Sequence, residues 1–250
     1  MARVIVVTSG KGGVGKSTVT CNLGYSLASY NSRVLLIDHD LGLKNLDIIM
    51  NLESRVIYDI SDLIKGRCSI EQAIIQDKYY DNLFLLPASL RLDTEMYDSS
   101  YLKRIINKVD ADFDFILIDC PAGIEKGFLN SIKYAKEALV VVTLDKTSIK
   151  DADKVIGILK SNAICNISLL INRYNQKDIE RNNSIDVETA KRILNIDVLG
   201  IIKENKNILA VSNHLKKRER NRDFDEIACK LIGIPYKYNS SSLLKRIINK

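Results

Sequence analysis

The run Arg3-Val4-Ile5-Val6-Val7-Thr8-Ser9-Gly10-Lys11-Gly12-Gly13-Val14-Gly15-Lys16-Ser17-Thr18 decides the fold. Val4 to Val7 are all β-branched, which favours a strand. Gly10 to Ser17 then fit G-x-x-x-x-G-K-[ST], and the stretch from Lys16 to Ser29 reads as a helix. Strand, glycine loop and helix in that order make a phosphate cradle. The glycines let the backbone turn tightly, so that successive N–H groups point at phosphate oxygens. The helix start adds its positive end. Lys16 suits the β- and γ-phosphates of a nucleoside triphosphate, and the Ser17 hydroxyl suits Mg²⁺.

Outward from this loop, short apolar runs alternate with helical stretches. Strands are predicted over Arg3–Thr8, Arg33–Ile37, Leu83–Leu86, Phe115–Ile118, Leu139–Thr143, Ser168–Ile171 and Val198–Ile202. Helices are predicted over Lys16–Ser29, Ile60–Lys65, Ile70–Ile75, Asp93–Lys108, Ile124–Lys136, Ser148–Ser161, Val187–Leu194 and Arg222–Leu231. The strands are apolar throughout, as strands covered on both faces of a parallel sheet must be. The alternation predicts a single-domain, doubly wound α/β fold with a mostly parallel sheet and helices on both faces. That domain is expected to span residues 1–236, with residues 237–250 as a linker and an amphipathic C-terminal helix.

Composition excludes several classes. The chain has 250 residues, 46% of them apolar, which is enough for one sizeable core and too many for a disordered chain. No run of roughly 18 or more uncharged apolar residues suggests a membrane-spanning helix. Met1-Ala2-Arg3 enters the first strand directly, which reads as a strand start and not as a secretory leader. A cytoplasmic setting is the expectation. The five cysteines, Cys21, Cys68, Cys120, Cys165 and Cys229, are dispersed, so neither a disulfide framework nor a zinc site is indicated.

Carboxylates follow two strands. Leu35-Leu36-Ile37 runs into Asp38-His39-Asp40, and Phe115-Ile116-Leu117-Ile118 runs into Asp119. Side chains at the carboxyl ends of parallel strands face the crevice where ligands bind. Phosphoryl transfer needs one carboxylate near the Mg²⁺ or its waters and another to orient the attacking water. An Asp in such a place also serves as a turn or helix cap. His39 and His214 show no ligand spacing.

Lys11 is a second lysine inside the phosphate loop. Lys11-Gly12-Gly13-Val14-Gly15-Lys16-Ser17-Thr18 resembles the deviant Walker A motif of the ATPase superfamily that includes partitioning, nitrogenase-iron and septum-placing proteins. The resemblance implies that Lys11 crosses a dimer interface to the partner's nucleotide, so that ATP binding and homodimerisation are one event. It implies catalytic roles for Lys11, Lys16 and Asp40, the last acting on the water. Asp119 is implied as the Walker B aspartate, with Asp38 near the magnesium shell; both would act through water. The stretch from Asp40 to Asp47, with Asn45, is similar to the first switch. Asp119-Cys120-Pro121-Ala122-Gly123-Ile124-Glu125, with Gly123, is similar to the second. Asn172-Arg173 is similar to the dipeptide that contacts adenine.

Charge is unevenly placed. Residues Lys203–Lys250 carry 12 Lys/Arg against 5 Asp/Glu, whereas the rest of the chain carries 25 against 26. A basic end points to a polyanionic partner. Within it, Leu243, Leu244, Ile247 and Ile248 form one apolar stripe on a helix, flanked by Lys245, Arg246 and Lys250. A basic amphipathic helix of this kind lies in the interface of an anionic membrane. The heptapeptide Leu-Lys-Arg-Ile-Ile-Asn-Lys occurs twice, at Leu102–Lys108 and Leu244–Lys250. The internal copy is expected to pack on its own domain, so position and not composition marks the second as an anchor.

With this tail, and with Gly42-Leu43-Lys44-Asn45-Leu46-Asp47 and Leu83-Phe84-Leu85-Leu86-Pro87-Ala88-Ser89, the chain resembles the septum-placing branch of the superfamily over essentially its whole length. That implies ATP and Mg²⁺ as ligands and peripheral binding to the inner face of the cell membrane. It also implies a MinC-like division inhibitor as partner, and a MinE-like or other topological factor. Asp151 and Asp153 are implied as partner-facing. Leu144-Asp145-Lys146-Thr147 departs from the branch, which has Thr-Pro-Glu before that helix. The competing expectation is a partitioning ATPase using its basic end on DNA. The apolar stripe weighs against nucleic acid, which gains nothing from four aliphatic side chains.

Overall fold

The computed structural model describes residues 1–40, 45–89, 100–181, 184–205 and 221–236. Residues 243–248, named above as the membrane-binding stripe, lie outside the described residues, as does the expected C-terminal helix.

Among the described residues eight strands form one sheet: β1 (Arg3–Thr8), β2 (Val34–Asp38), β3 (Ile75–Gln76), β4 (Leu83–Leu86), β5 (Phe115–Asp119), β6 (Glu137–Val142), β7 (Asn166–Tyr174) and β8 (Val198–Lys203). Their spatial order is β3-β4-β2-β5-β1-β6-β7-β8. Every pairing is parallel except β3 with β4. Ile5 and Val7 join the core on one face of β1 and Val6 joins the core on the other. This two-sided burial explains why the strands carry no polar alternation.

The helices are α1 (Lys16–Ser29), α2 (Leu46–Ile49), α3 (Ile60–Ile64), α4 (Ile70–Ala73), α5 (Tyr101–Val109), α6 (Lys126–Ile132), α7 (Lys146–Ser161), α8 (Gln176–Glu180), α9 (Val187–Leu194) and α10 (Arg222–Ile232). Residues of α1, α2 and α10 pack in the core on one face, and those of α3 to α7 and α9 in the core on the other. The internal heptapeptide lies in α5, where Leu102, Ile105 and Ile106 are buried as expected of a packed helix.

The predicted elements shift at their ends for physical reasons. The helix predicted to reach Ile75 stops at Ala73, because Ile75 and Gln76 pair antiparallel with Leu85 and Phe84. The helix predicted over Ile124–Lys136 is only Lys126–Ile132. The chain is then drawn into β6 at Glu137, whose carboxylate pairs with Arg3 of β1 at 2.7 Å. The short β3, α2 and α8 were not predicted; two to five residues hold too little periodicity to be recognised.

Candidate active site

β1 sits between β5 and β6, while the chain leaves it for β2 on the far side of β5. Crevices at the carboxyl ends of parallel strands beside such a reversal bind ligands. The loop after β1, the loop after β2 and the loop after β5 all open there.

Two glycines of the first loop are required by close approach. A Cβ on Gly10 would strike the backbone of α7, lying 2.7 Å from Ala152 N and nearer still to the Asp151 carbonyl. Gly15 caps α1 at φ 90°, and its Cβ would lie 2.5 Å from the Asn172 amide nitrogen. The loop is thus wedged between α7 and the end of β7. Lys11, Gly12 and Gly13 are exposed, and Val14 is buried. Thr18 lies in the first turn of α1, and its carbonyl accepts from Asn22 Nδ2 at 2.8 Å.

Lys16 is the hub. Its ammonium donates to Asp119 Oδ1 at 2.7 Å and lies 3.9 Å from Asp40 Oδ2 and 3.4 Å from Ser17 Oγ. Thr20 Oγ1, one turn along α1, also donates to Asp119 Oδ1 at 3.2 Å. Burial disfavours the Lys16 ammonium, yet Asp119 and Asp40 outweigh it, and the pKa is raised above the ordinary lysine value. The same burial raises the Asp40 pKa, with Lys16 opposing it. Lys16, Asp40 and Asp119 therefore stand together.

Asp38 pairs with Asp119 in the register of β2 and β5, so two buried carboxyl groups are neighbours. Burial, then the Asp119 charge, push the Asp38 pKa up to about 7. Its Oδ1 accepts from Asp40 N at 3.2 Å, and its Oδ2 from Asn45 N at 3.1 Å and Leu46 N at 3.0 Å. One side chain thus ties Asp40 to the start of α2. Asn45 precedes α2 and contributes its backbone N–H to that tie.

The site fits Mg²⁺ by one specific observation. Asp119 Oδ2 is buried without a hydrogen-bond partner, as is Thr8 Oγ1. A buried carboxylate oxygen left unpaired costs free energy unless an ion or water meets it. Among the described residues no three His, Cys, Asp or Glu side chains converge on a metal cage. Mg²⁺ with a nucleotide needs none, because phosphates and waters supply most of its ligands.

The remaining predicted residues are dispersed. Gly123 N donates to Ser9 O at 3.1 Å, which links the loop after β5 to the base of the phosphate loop. Asn172 is buried under that loop and its amide donates to Val14 O at 2.7 Å, a bracing contact that the sequence did not reveal. Arg173 is exposed and sits at φ 53°. Asp151 and Asp153 lie on α7; Asp151 pairs with Lys154 at 3.2 Å and Asp153 is exposed. Lys11 extends along the same helix start, donating to Thr147 Oγ1 at 2.9 Å and to Asp145 Oδ1 at 3.3 Å. Asp145 caps α7 by accepting from Ser148 N. Asp145 and Thr147 were missed as partners of Lys11, although Asp145 three residues before Ser148 carries an N-cap signature.

Comparison with known proteins places this geometry. A family model described as an AAA domain matches residues 2–176. The septum site-determining protein MinD of Bacillus subtilis is 40% identical over 218 residues, covering 86% of this chain and 81% of that protein. The protein of the same description from Synechocystis is 41% identical over 213 residues, covering 85% and 80%. The solved MinC:MinD cell division protein complex of Aquifex aeolicus superposes with a TM-score of 0.86 at 38% identity, over 95% of this chain and 98% of that one. MinD of Pyrococcus horikoshii, solved with Mg-ADP, gives a TM-score of 0.81 at 28% identity, over 92% and 96%.

Proposed function

This chain belongs to the MinD family of septum site-determining ATPases, and on that premise we propose that it is an ATP-driven dimer whose membrane residence positions a division inhibitor. The observation that carries the reading is the pairing of a buried Lys16–Asp119–Asp40 cluster with an exposed Lys11 on the same loop. The first is equipped for the triphosphate of its own chain. The second is exposed and held only by surface contacts with Asp145 and Thr147.

In this reading the N–H groups from Gly10 to Thr18 and the Lys16 ammonium hold the phosphates. Mg²⁺ would neutralise charge on the β,γ-phosphates, held by Ser17 and, through water, by Asp119 and Asp38. Asp40 is 8% exposed at the crevice and orients the attacking water. Asp38 keeps the Asp40 loop closed. Gly123 brings a backbone N–H near the terminal phosphate, and Asn45 completes the first switch. Asn172 offers its carbonyl to adenine while its amide braces Val14, and Arg173 covers the ring.

Lys11 of each copy contacts the partner's nucleotide, so ATP clamps two copies and hydrolysis parts them. Each copy contributes a tail whose Leu243, Leu244, Ile247 and Ile248 enter the interface of an anionic inner membrane leaflet, with Lys245 and Arg246 at the headgroups. One tail binds weakly; two on a dimer gain through effective concentration. Asp151 and Asp153 on α7 then face a MinC-like inhibitor, and a MinE-like or other factor stimulates hydrolysis. The Aquifex complex supports the inhibitor as partner.

Sedimentation with anionic liposomes tests the reading. ATP and not ADP should bring the full chain down, and deletion of 243–250 should leave it in solution with ATPase retained. Persistent liposome binding after that deletion would remove the anchor. ATP-dependent sedimentation with DNA in its place would favour a partitioning role.

A further inference from the structure

His39 lies between Asp38 and Asp40 and is 1% exposed. Its backbone N–H donates to Asp119 O at 3.0 Å, extending the β2–β5 ladder one residue past the strand. Its side chain crosses to two other elements. Nδ1 lies 2.6 Å from Ser131 Oγ on α6, and Nε2 meets the Tyr101 hydroxyl at the start of α5. The His39 and Tyr101 rings are stacked with centroids 5.7 Å apart.

Proton counting assigns the directions. Ser131 Oγ donates its one proton to Gly127 O at 2.9 Å, so it must accept from His39 Nδ1–H. The ring is buried and its two nitrogens meet hydroxyl groups, a setting that keeps the imidazole neutral. Nε2 therefore accepts from the Tyr101 hydroxyl. Every polar atom of the ring is paired in one tautomer only, and a buried network of this kind is stable complete and costly when broken.

Two of the elements so joined adjoin the crevice proposed for the triphosphate. His39 belongs to the loop after β2. Ser131 belongs to α6, seven residues long, whose preceding loop is linked at Gly123 to Ser9. We propose that His39 is a positioning residue that ties the loop after β2 to the helix after β5, so that the two nucleotide-facing loops respond as one unit. The proposal rests on the ATPase reading above, because it presumes that both loops sense the bound nucleotide.

Two readouts separate this role from simple packing. The first is hydrogen–deuterium exchange of the segment 126–132 in the full chain with Mg·ADP and with Mg·ATPγS. The wild type should show different protection of that segment with the two nucleotides. His39→Phe and Ser131→Ala should each lose the difference while the segment 10–18 is still protected by either nucleotide. His39→Asn, whose amide N–H stands near the place of Nδ1–H, should regain it. The second readout is steady-state ATP hydrolysis. His39→Phe and Ser131→Ala should each lower kcat about tenfold or more with KM for ATP within about twofold, and the double variant should fall no further. Should His39→Phe fail to fold, Ser131→Ala and Tyr101→Phe carry the same comparison. Retention of the exchange difference in His39→Phe or Ser131→Ala, its absence in the wild type, or multiplying kcat losses would each overturn the coupling. A wild type that responds to nucleotide in exchange but hydrolyses no ATP would overturn the ATPase reading and leave the coupling standing.

Discussion

Lys11 Nζ donates to Thr147 Oγ1 at 2.9 Å and to Asp145 Oδ1 at 3.3 Å, so the outward-reaching lysine of the phosphate loop rests on the first turn of α7. Both members of the Lys11–Asp145 pair are about two-fifths exposed, at 44% and 40%. An exposed ion pair of this sort contributes roughly 0.2–1 kcal/mol. In the dimer proposed above, a triphosphate presented by a second copy would displace it. The helix it leaves is the one that carries Asp151 and Asp153.

Lys11→Ala should therefore cost little in fold stability, within about 1 kcal/mol, but abolish ATP-dependent dimerisation. Analytical ultracentrifugation with and without Mg·ATP reads the outcome. A variant that still dimerises with ATP refutes the cross-interface role of Lys11.

Asp145→Ala should be costlier to the fold. Asp145 accepts from Ser148 N at 2.9 Å and from Thr143 Oγ1 at 2.6 Å, and losing an N-cap costs about 1 kcal/mol. Although burial opposes it, hydrogen bonds from Thr143, Thr147 and Ser148 hold this carboxyl well below its ordinary value of 3.8. A depressed folded-state pKa means that the stabilisation is fully present above the unfolded value and is lost as pH falls through the folded one. The stability gap between wild type and Asp145→Ala should be constant near neutral pH and shrink only below about pH 4. Urea titrations across that range check it, and a gap that closes already between pH 7 and 5 would contradict the assignment.

Gly10→Ala tests the seat of the loop. The added methyl meets the α7 backbone at Asp151 and Ala152, which no side-chain rotation can relieve. Overpacking of this kind costs about 1–3 kcal/mol, so both the melting temperature and nucleotide affinity should fall. An unchanged affinity for a fluorescent ADP analogue would show that α7 yields without disturbing the loop.

Asp40→Ala should bind nucleotide and dimerise, yet turn over about 10²-fold more slowly or worse, the loss expected when a group that handles the attacking water is removed. Single-turnover hydrolysis in the ATP-locked dimer measures it. Wild-type turnover would take Asp40 off the catalytic path.

The amino-acid sequence by itself determined the strand–loop–helix at residues 3–29 and the parallel α/β class. Those features are encoded in contiguous residues, where β-branching, glycine spacing and apolar runs act over a few positions. It also placed Asp38, Asp40 and Asp119 at strand ends. Tertiary structure alone decided their partners. Lys16 meets Asp119 across 103 residues, Lys11 meets Thr147 across 136, and His39 meets Ser131 across 92. These contacts exist because the sheet order sets β1 between β5 and β6 and β2 beside β5, so that loops distant in the chain share one crevice. No local periodicity carries that information: hydrogen-bond geometry between buried groups is fixed only once the strands are in register, and the register of Asp38 with Asp119 is what closes the site.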